Sequence, residues 1–313
     1  MFKPLTVAVI HTFNSTCRCH ETLLAACRAL GHRTVTADSE RLPAALRRLR
    51  KADLAFDHTD TYHGAGALRA RVRLMIEQTA IPIVGSPASV LADCDDKTVT
   101  KRLLRRLEIP TPACAVIHSP FSIFPSPLRL PLVLKPSTEH GSRGLTLVRR
   151  RRDWRPVLRS YFRRWNTPAL AERFVAGREI SLSLIGPRPE VLPPQETLLS
   201  PGTRGLYTRA AKSGPDSLAV AHGSVVVPAA LPPRLRRRLD TIARRIWRHF
   251  GLREYARIDL RIGRGHRPYV LEINATPGIE AGGEFLAAAA QKGMTPEDVV
   301  GELIESRLGR EYA

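Results

Sequence analysis

Short apolar runs alternate with longer amphipathic stretches through the first third of this chain, at the spacing of strands joined by crossover helices. Leu5 to Ile10 predicts a first strand, and a polar loop separates it from a helix over about Glu21 to Leu30 that Gly31 ends. Thr34 to Ala37, Leu54 to Asp57 and Ile81 to Val84 predict three further strands, with a helix from about Ala67 to Gln78 ahead of the last. Strands connected in this way run parallel, so residues 1–95 are expected to form a small open α/β lobe. The loop after the first strand has no G-x-G-x-x-G, which argues against a dinucleotide site there.

Beyond Ile109-Pro110-Thr111-Pro112 the pattern changes. Leu132 to Lys135 and Leu145 to Val148 read as strands around a small-residue loop, Pro136-Ser137-Thr138-Glu139-His140-Gly141-Ser142-Arg143-Gly144, whose backbone N–H groups can face an anion. Arg149 to Arg164 and Arg234 to Phe250 read as helices with a charged outer face. Ala169 to Val175 is extended, Ile180 to Ile185 alternates as a strand, and Glu196 to Pro215, rich in Gly, Ser, Thr and Pro, reads as a mobile loop. Two more lobes are expected after the first, over residues 96–186 and 187–313.

The C-terminal third holds the most informative pattern. Ala256 to Ile262 and Pro268 to Ile273, joined by Gly263-Arg264-Gly265-His266, have the composition and spacing of a hairpin. Arg257 and Asp259 lie two apart and so share a face, as do Glu272 and Asn274 on the partner strand. Pairing the strands brings two carboxylates, an amide oxygen and a guanidinium onto one surface. Such oxygen donors suit magnesium, which keeps several waters and is completed by phosphates.

Composition changes this picture in five ways. At 313 residues and 43% hydrophobic, the chain can build two or three packed lobes. A net charge of +20 raises the question of nucleic acid, but the excess arginine lies on two helical faces without an aromatic-interleaved groove, so nucleic-acid binding is not expected. No run of eighteen apolar residues and no secretory pattern at the N-terminus is present, so a cytoplasmic protein without membrane contact is expected. Five cysteines without framework spacing fit a reducing compartment, and Cys17-Arg18-Cys19-His20 does not match common zinc spacing, so free thiols are expected. Seven lysines stand against 42 arginines, so a lysine here is a choice of a compact ammonium over a planar guanidinium.

R-I-D at Arg257–Asp259 followed by L-E-I-N-A-T-P-G at Leu271–Gly278 resembles the C-terminal signature of the ATP-grasp ligases, and among them the D-alanine–D-alanine ligase family. The resemblance implies an α/β protein in which the N-terminal parallel-sheet lobe precedes a two-lobe ATP-grasp fold. It implies a ligase that makes an amide bond between small carboxylate and amine substrates, amino acids or short peptides, in peptidoglycan synthesis, with ATP and Mg2+ or Mn2+ as cofactors; a homodimer is one candidate assembly, and the sequence does not fix the oligomeric state. By the same likeness Asp259, Glu272 and Asn274 hold the metal, Arg257 stabilises the transferring phosphoryl group, and the backbone N–H of Gly278 completes the oxyanion site. Lys97, Lys135 and Lys212 fall at positions that contact ATP, and Lys212 ends the loop that closes over the reacting phosphate. Gly141 and Ser142 lie in the phosphate loop, and Arg173, Phe174 and Val175 in the adenine hinge. Glu172 is expected on the adenine amino group, Glu179 on the ribose, and His63, of a His-Gly pair, facing the active site.

The departures fall on the amino-acid side. The loop His11 to His20 has no acid where the family holds an ammonium, His63-Gly64 continues as Ala65-Gly66-Ala67-Leu68, and Gly141, Ser213 and Gly283 replace family side chains. Substrates other than D-alanine are therefore expected. An ATP-binding regulatory protein without turnover and a basic nucleic-acid-associated protein remain the alternatives.

Overall fold

The structure, a computed structural model, describes residues 3–13, 15, 17–61, 66–199 and 225–309. Its first sheet is parallel, in the order β2-β1-β3-β4: β1 (Thr6–His11), β2 (Arg33–Asp38), β3 (Leu54–His58) and β4 (Ile83–Val84). Val7 and Val9 enter one apolar cluster and Ala8 and Ile10 another, so β1 is covered on both faces, which is why it reads as a continuous apolar run. Helices α1 (Cys19–Ala29), α2 (Leu42–Leu49) and α3 (Arg69–Glu77) make the crossovers. Helix α1 begins two residues before the predicted Glu21, and α2 was not expected at all. Arg73 of α3 is wholly buried, its Nε 2.9 Å from Asp57 Oδ2 and its Nη1 2.8 Å from the Ser86 carbonyl, so it binds α3 to the ends of β3 and β4.

Two helices then lead to the second sheet, α4 (Ala88–Asp95) and α5 (Lys97–Arg106). Asp96, extended between them, caps α5 by accepting from the Thr98 N–H at 2.7 Å. That makes Lys97 the first helical residue. The second sheet is antiparallel, in the order β5-β8-β6-β7: β5 (Cys114–Ile117), β6 (Leu132–Pro136), β7 (Thr146–Val148) and β8 (Ala169–Arg173). Helix α6 (Trp154–Arg164) covers it with Trp154, Leu158 and Tyr161 while Arg155, Arg159, Arg163 and Arg164 point to water. It starts at Trp154 rather than Arg149, after a single 3-10 turn over Arg151–Asp153.

The third sheet runs β12-β11-β9-β13-β14, with β10 on the far end of β9. Its strands are β9 (Arg178–Ile185), β10 (Glu190–Val191), β11 (Gln195–Thr197), β12 (Val225–Val226), β13 (Tyr255–Gly263) and β14 (Arg267–Asn274). Arg178–Ile185, placed by sequence in the 96–186 lobe, is therefore the centre of this sheet. Glu196, read as loop, is in β11 and pairs with Arg178 at 2.6 Å. Gly177 marks the passage between sheets: its φ is +148° and a Cβ there would stand 2.0 Å from the Ile262 carbonyl oxygen, so only glycine fits.

Helix α7 (Pro233–Phe250) backs the third sheet. Leu235, Leu239, Ile242, Ala243, Ile246, Trp247 and Phe250 are buried at helical spacing against Ala256, Ile258, Leu260 and Ile262 of β13, and Arg237, Arg244 and Arg248 are exposed opposite. Burial of each large apolar side chain contributes about 1.5–3 kcal/mol, ample for an arginine-rich helix to stay docked. Gly251, at φ +69°, ends it in the left-handed conformation. The last helices, α8 (Glu284–Ala290) and α9 (Pro296–Gly309), return to the first lobe, where Val299 and Leu303 share a cluster with Leu23 and Cys27. Among the described residues no helix is long and apolar enough to cross a membrane.

Candidate active site

Strand β13 exposes alternate residues to one face, and the register decides what meets there. Arg257 pairs with Asn274 and Asp259 with Glu272, so the four polar residues predicted to share a surface lie directly opposite one another. The ladder then slips: Leu260 pairs with Val270, which leaves Leu271 as an extra residue beside Glu272. On the other side, Ser183 and Ser181 of β9 lie opposite Arg257 and Asp259. Small side chains there leave room above the acids.

Hydrogen bonds fix this group. The Arg257 fork grips Asp259, Nε to Oδ1 at 2.8 Å and Nη2 to Oδ2 at 3.0 Å, and its Nη1 reaches Glu284 Oε2 at 3.0 Å. Burial alone would lower the guanidinium pKa, but the two carboxylates outweigh it and raise it. Asn274 donates its Nδ2 to Asp259 Oδ2 at 3.0 Å, which leaves the amide oxygen as the ligand atom. Two carboxylates and an amide oxygen on one face are hard donors, so the residues present fit a magnesium-like ion.

Facing the hairpin is a cleft with about 800 Å3 of empty volume, between the second and third sheets. Lys97, Lys135, Glu172, Glu179, Asp259 and Glu272 all line it, together with Arg261. Its apolar wall is Val133, Leu145, Phe174, Val175 and Leu271, a slot suited to a flat ring. Lys97 sits 3.8 Å from Glu272 and donates to the Glu139 carbonyl. Burial pulls its pKa below the ordinary lysine value, with Glu272 opposing. The loop turns through two successive left-handed residues, Gly141 at φ +62° and Ser142 at φ +60°, and Ser142 lines the cleft.

Glu172, expected on the adenine amino group, and Glu179, expected on the ribose, each have a charged protein partner. Glu172 is buried, with Oε2 2.9 Å from Lys101 Nζ and 3.5 Å from Lys135 Nζ. Burial pushes this carboxyl up, yet the two ammonium groups prevail and hold it below its usual value. Its carboxylate faces these two lysines at the wall of the cleft. Glu179 accepts from Arg261 Nη2 at 2.6 Å, while the Arg261 guanidinium also stacks 5.8 Å from the Phe174 ring centre. Arg173 lines the cleft from an exposed position. Gly278 is not among the lining residues; a Cβ on it would meet Cys19 Sγ at 3.4 Å. His63 and Lys212 lie outside the described residues.

Sequence reasoning missed Lys101, Arg261 and Glu284. Lys101 was legible, being one of the scarce lysines and one helical turn after Lys97. Arg261 continues the alternation from Arg257 and Asp259. Glu284 carried no signal, because its contact with Arg257 depends on how the chain returns after β14. His140 was likewise unmarked: it lies 3.8 Å from Asp95, which Arg69 grips at 2.6 Å, and burial lowers its pKa to about 4.

Two antiparallel sheets that hold a lysine-lined cleft between them, with paired acids on a hairpin at its edge, define an ATP-grasp fold. Residues 119–305, more than half of the chain, match the family profile described as D-ala D-ala ligase C-terminus. The chain belongs to the D-alanine–D-alanine ligase family, and is an ATP-dependent ligase of the kind that forms C–N bonds. It is 30% identical over 295 residues to a D-alanine–D-alanine ligase of Desulforudis audaxviator, covering 92% of each chain. Against a ligase of the same name from Synechococcus sp. (strain JA-3-3Ab) it is 31% identical over 286 residues, covering 90% of this chain and 85% of that one. In fold it is similar to the D-alanine–D-alanine ligase of Bacillus anthracis complexed with ATP, with a TM-score of 0.79 at 20% identity over 98% of both chains.

Proposed function

We propose that this protein activates a small carboxylate as an acyl phosphate with ATP and joins it to an amine, with amino acids or short peptides as both substrates. The observation that carries the reading is the strand register that sets Arg257, Asp259, Glu272 and Asn274 together, with Asp259 and Glu272 lining the same cleft as Lys97 and Lys135. Asp259, Glu272 and Asn274 would hold magnesium, or manganese in its place. Such an ion, when bound, neutralises phosphate charge and orients the terminal phosphoryl group.

The chain's own residues do the rest by position and charge. Arg257, clamped by Asp259 and Glu284, presents a preorganised cation to the phosphoryl group, so its orientation needs no reorganisation at the moment of transfer. Lys97 and Lys135 neutralise the inner phosphates, and the loop at Gly141 and Ser142 offers backbone N–H groups. The apolar slot takes adenine against the backbone of Arg173, Phe174 and Val175, with Glu179 on the ribose. Glu172 acts through Lys101 and Lys135, holding them in place. Lys212, His63 and the Gly278 N–H complete the set suggested by family likeness. The rewritten amino-acid side points to substrates other than D-alanine, within or beside peptidoglycan synthesis.

Following ADP release from purified protein with Mg-ATP across D- and L-amino acids and small dipeptides tests this. Release that requires magnesium, ATP and a defined amino-acid pair is the expected result. Tight ATP binding with no release on any substrate would instead favour a regulatory ATP-binding protein.

A further inference from the structure

Cys17, Cys19 and Glu280 bring two sulfurs and a carboxylate oxygen within 4.8 Å of one another, where the loop after β1 meets the segment that follows β14. We propose that these three side chains bind a single thiophilic divalent cation, with zinc as the reference ion. The inference does not rest on the ligase reading, and its test reads metal content alone.

The donor set is distinct from that of the hairpin. Two thiolates and one carboxylate suit a soft, tetrahedral ion and leave a fourth position for water or a ligand group, whereas the oxygen donors of Asp259, Glu272 and Asn274 suit a hard one. Cys19 is the fixed member: it opens α1, is 1% exposed, and its sulfur faces the Ile279 N–H. Cys17 is half-buried on the loop, and its sulfur faces the Cys19 N–H. N–H donors aimed at sulfur stabilise metal-bound thiolates. Glu280 is steadied by the Arg18 N–H, 3.3 Å from its Oε2.

The two sulfurs now stand 2.8 Å apart. Tetrahedral zinc, with Zn–S of about 2.3 Å, asks for about 3.8 Å, so Cys17 must swing outward by about 1 Å. Its place on the loop allows that, and the swing carries it away from the buried sulfur. His20 takes no part, since its ring stacks on His11 with centroids 3.8 Å apart. Spacing along the chain hid the site: C-x-C-H matches no common zinc pattern, and the third donor comes from the opposite end of the sequence. A loaded ion would tie α1 to the segment carrying Gly278, whose Cα faces Cys19.

The test uses the full chain, reduced and stripped of metal, titrated with zinc against a chromophoric chelator and with cobalt followed by thiolate-to-metal charge-transfer absorption. One ion per chain with a cobalt band from two thiolates is expected. Cys17→Ser and Cys19→Ser should each weaken binding by at least ~100-fold and Glu280→Gln by about 10-fold, magnitudes typical for lost ligands and their supports, while Cys114→Ser leaves it unchanged. Circular dichroism checks that each variant is folded, and the cobalt spectrum of the unsubstituted chain needs no variant. Uptake no greater than that of the Cys17→Ser, Cys19→Ser double variant would overturn the proposal. So would a Cys17–Cys19 disulfide, seen as a loss of two hydrogens in mass, that forms in the metal-free chain and cannot be prevented by added zinc.

Discussion

Replacing Glu172 with glutamine removes a buried negative charge from between two buried ammonium groups and keeps the side chain's size. At 2.9 and 3.5 Å and an effective dielectric near 20, the gross attractions to Lys101 and Lys135 are about 5.7 and about 4.7 kcal/mol. Most of that offsets the desolvation of three ions, and deleting one partner of such a buried group costs about 3–5 kcal/mol net, because the remaining charges stay buried without compensation. For a chain of 313 residues the loss corresponds to a fall in Tm of roughly 5–8 °C. Lys101 also donates to Thr111 Oγ1 at 2.7 Å and to the Val270 carbonyl at 3.0 Å, so it cannot turn away to water when the carboxylate goes. Adding Lys101→Met restores the balance of charge. In a double-mutant cycle read by urea unfolding, the pair should show a coupling of about 1.5–3 kcal/mol. A Glu172→Gln protein within about 0.5 kcal/mol of the parent, or additive single and double variants, would refute the reasoning.

Arg257→Lys keeps a positive charge but loses the fork, and should lower kcat by about 10^2–10^3 with little change in the KM for ATP, measured by ADP release. Gly177→Ala places a Cβ 2.0 Å from the Ile262 oxygen, and should lower stability by about 2–3 kcal/mol in a thermal melt. His58 and His140 both have pKa values lowered to about 4, each first by burial. The unfolded chain takes up these protons near pH 6.5 and the folded one only near pH 4, so stability should be full above pH 6.5 and decline as pH falls from there to about 4. A His140→Gln variant should flatten part of that slope in denaturation curves taken between pH 7 and pH 4.

How far the sequence exposes this site depends on whether a contact is local. The hairpin is local, so two-residue spacing alone put Arg257, Asp259, Glu272 and Asn274 on one surface, although the extra residue at Leu271 is not visible in alternation. The first-lobe strands were legible because burial on both faces makes them plainly apolar. Helix α2 was not, since its arginines masked a short apolar stripe. Arg178–Ile185 fell outside its expected lobe for another reason: a strand's sheet is set by its partners, and its longest partner, Tyr255–Gly263, lies far along the chain. Buried ions were the least legible. Arg73, Asp95 and Glu172 look like surface charges until the fold supplies their partners.

The central claim is that Asp259, Glu272 and Asn274 hold a divalent ion against the phosphates of bound ATP. Calorimetric titration of ATP into the metal-free protein, with and without magnesium, measures this directly when done in parallel on an Asp259→Asn, Glu272→Gln variant. The account predicts that magnesium tightens ATP binding to the parent and has little effect on the variant. An equal response to magnesium in both proteins would contradict it.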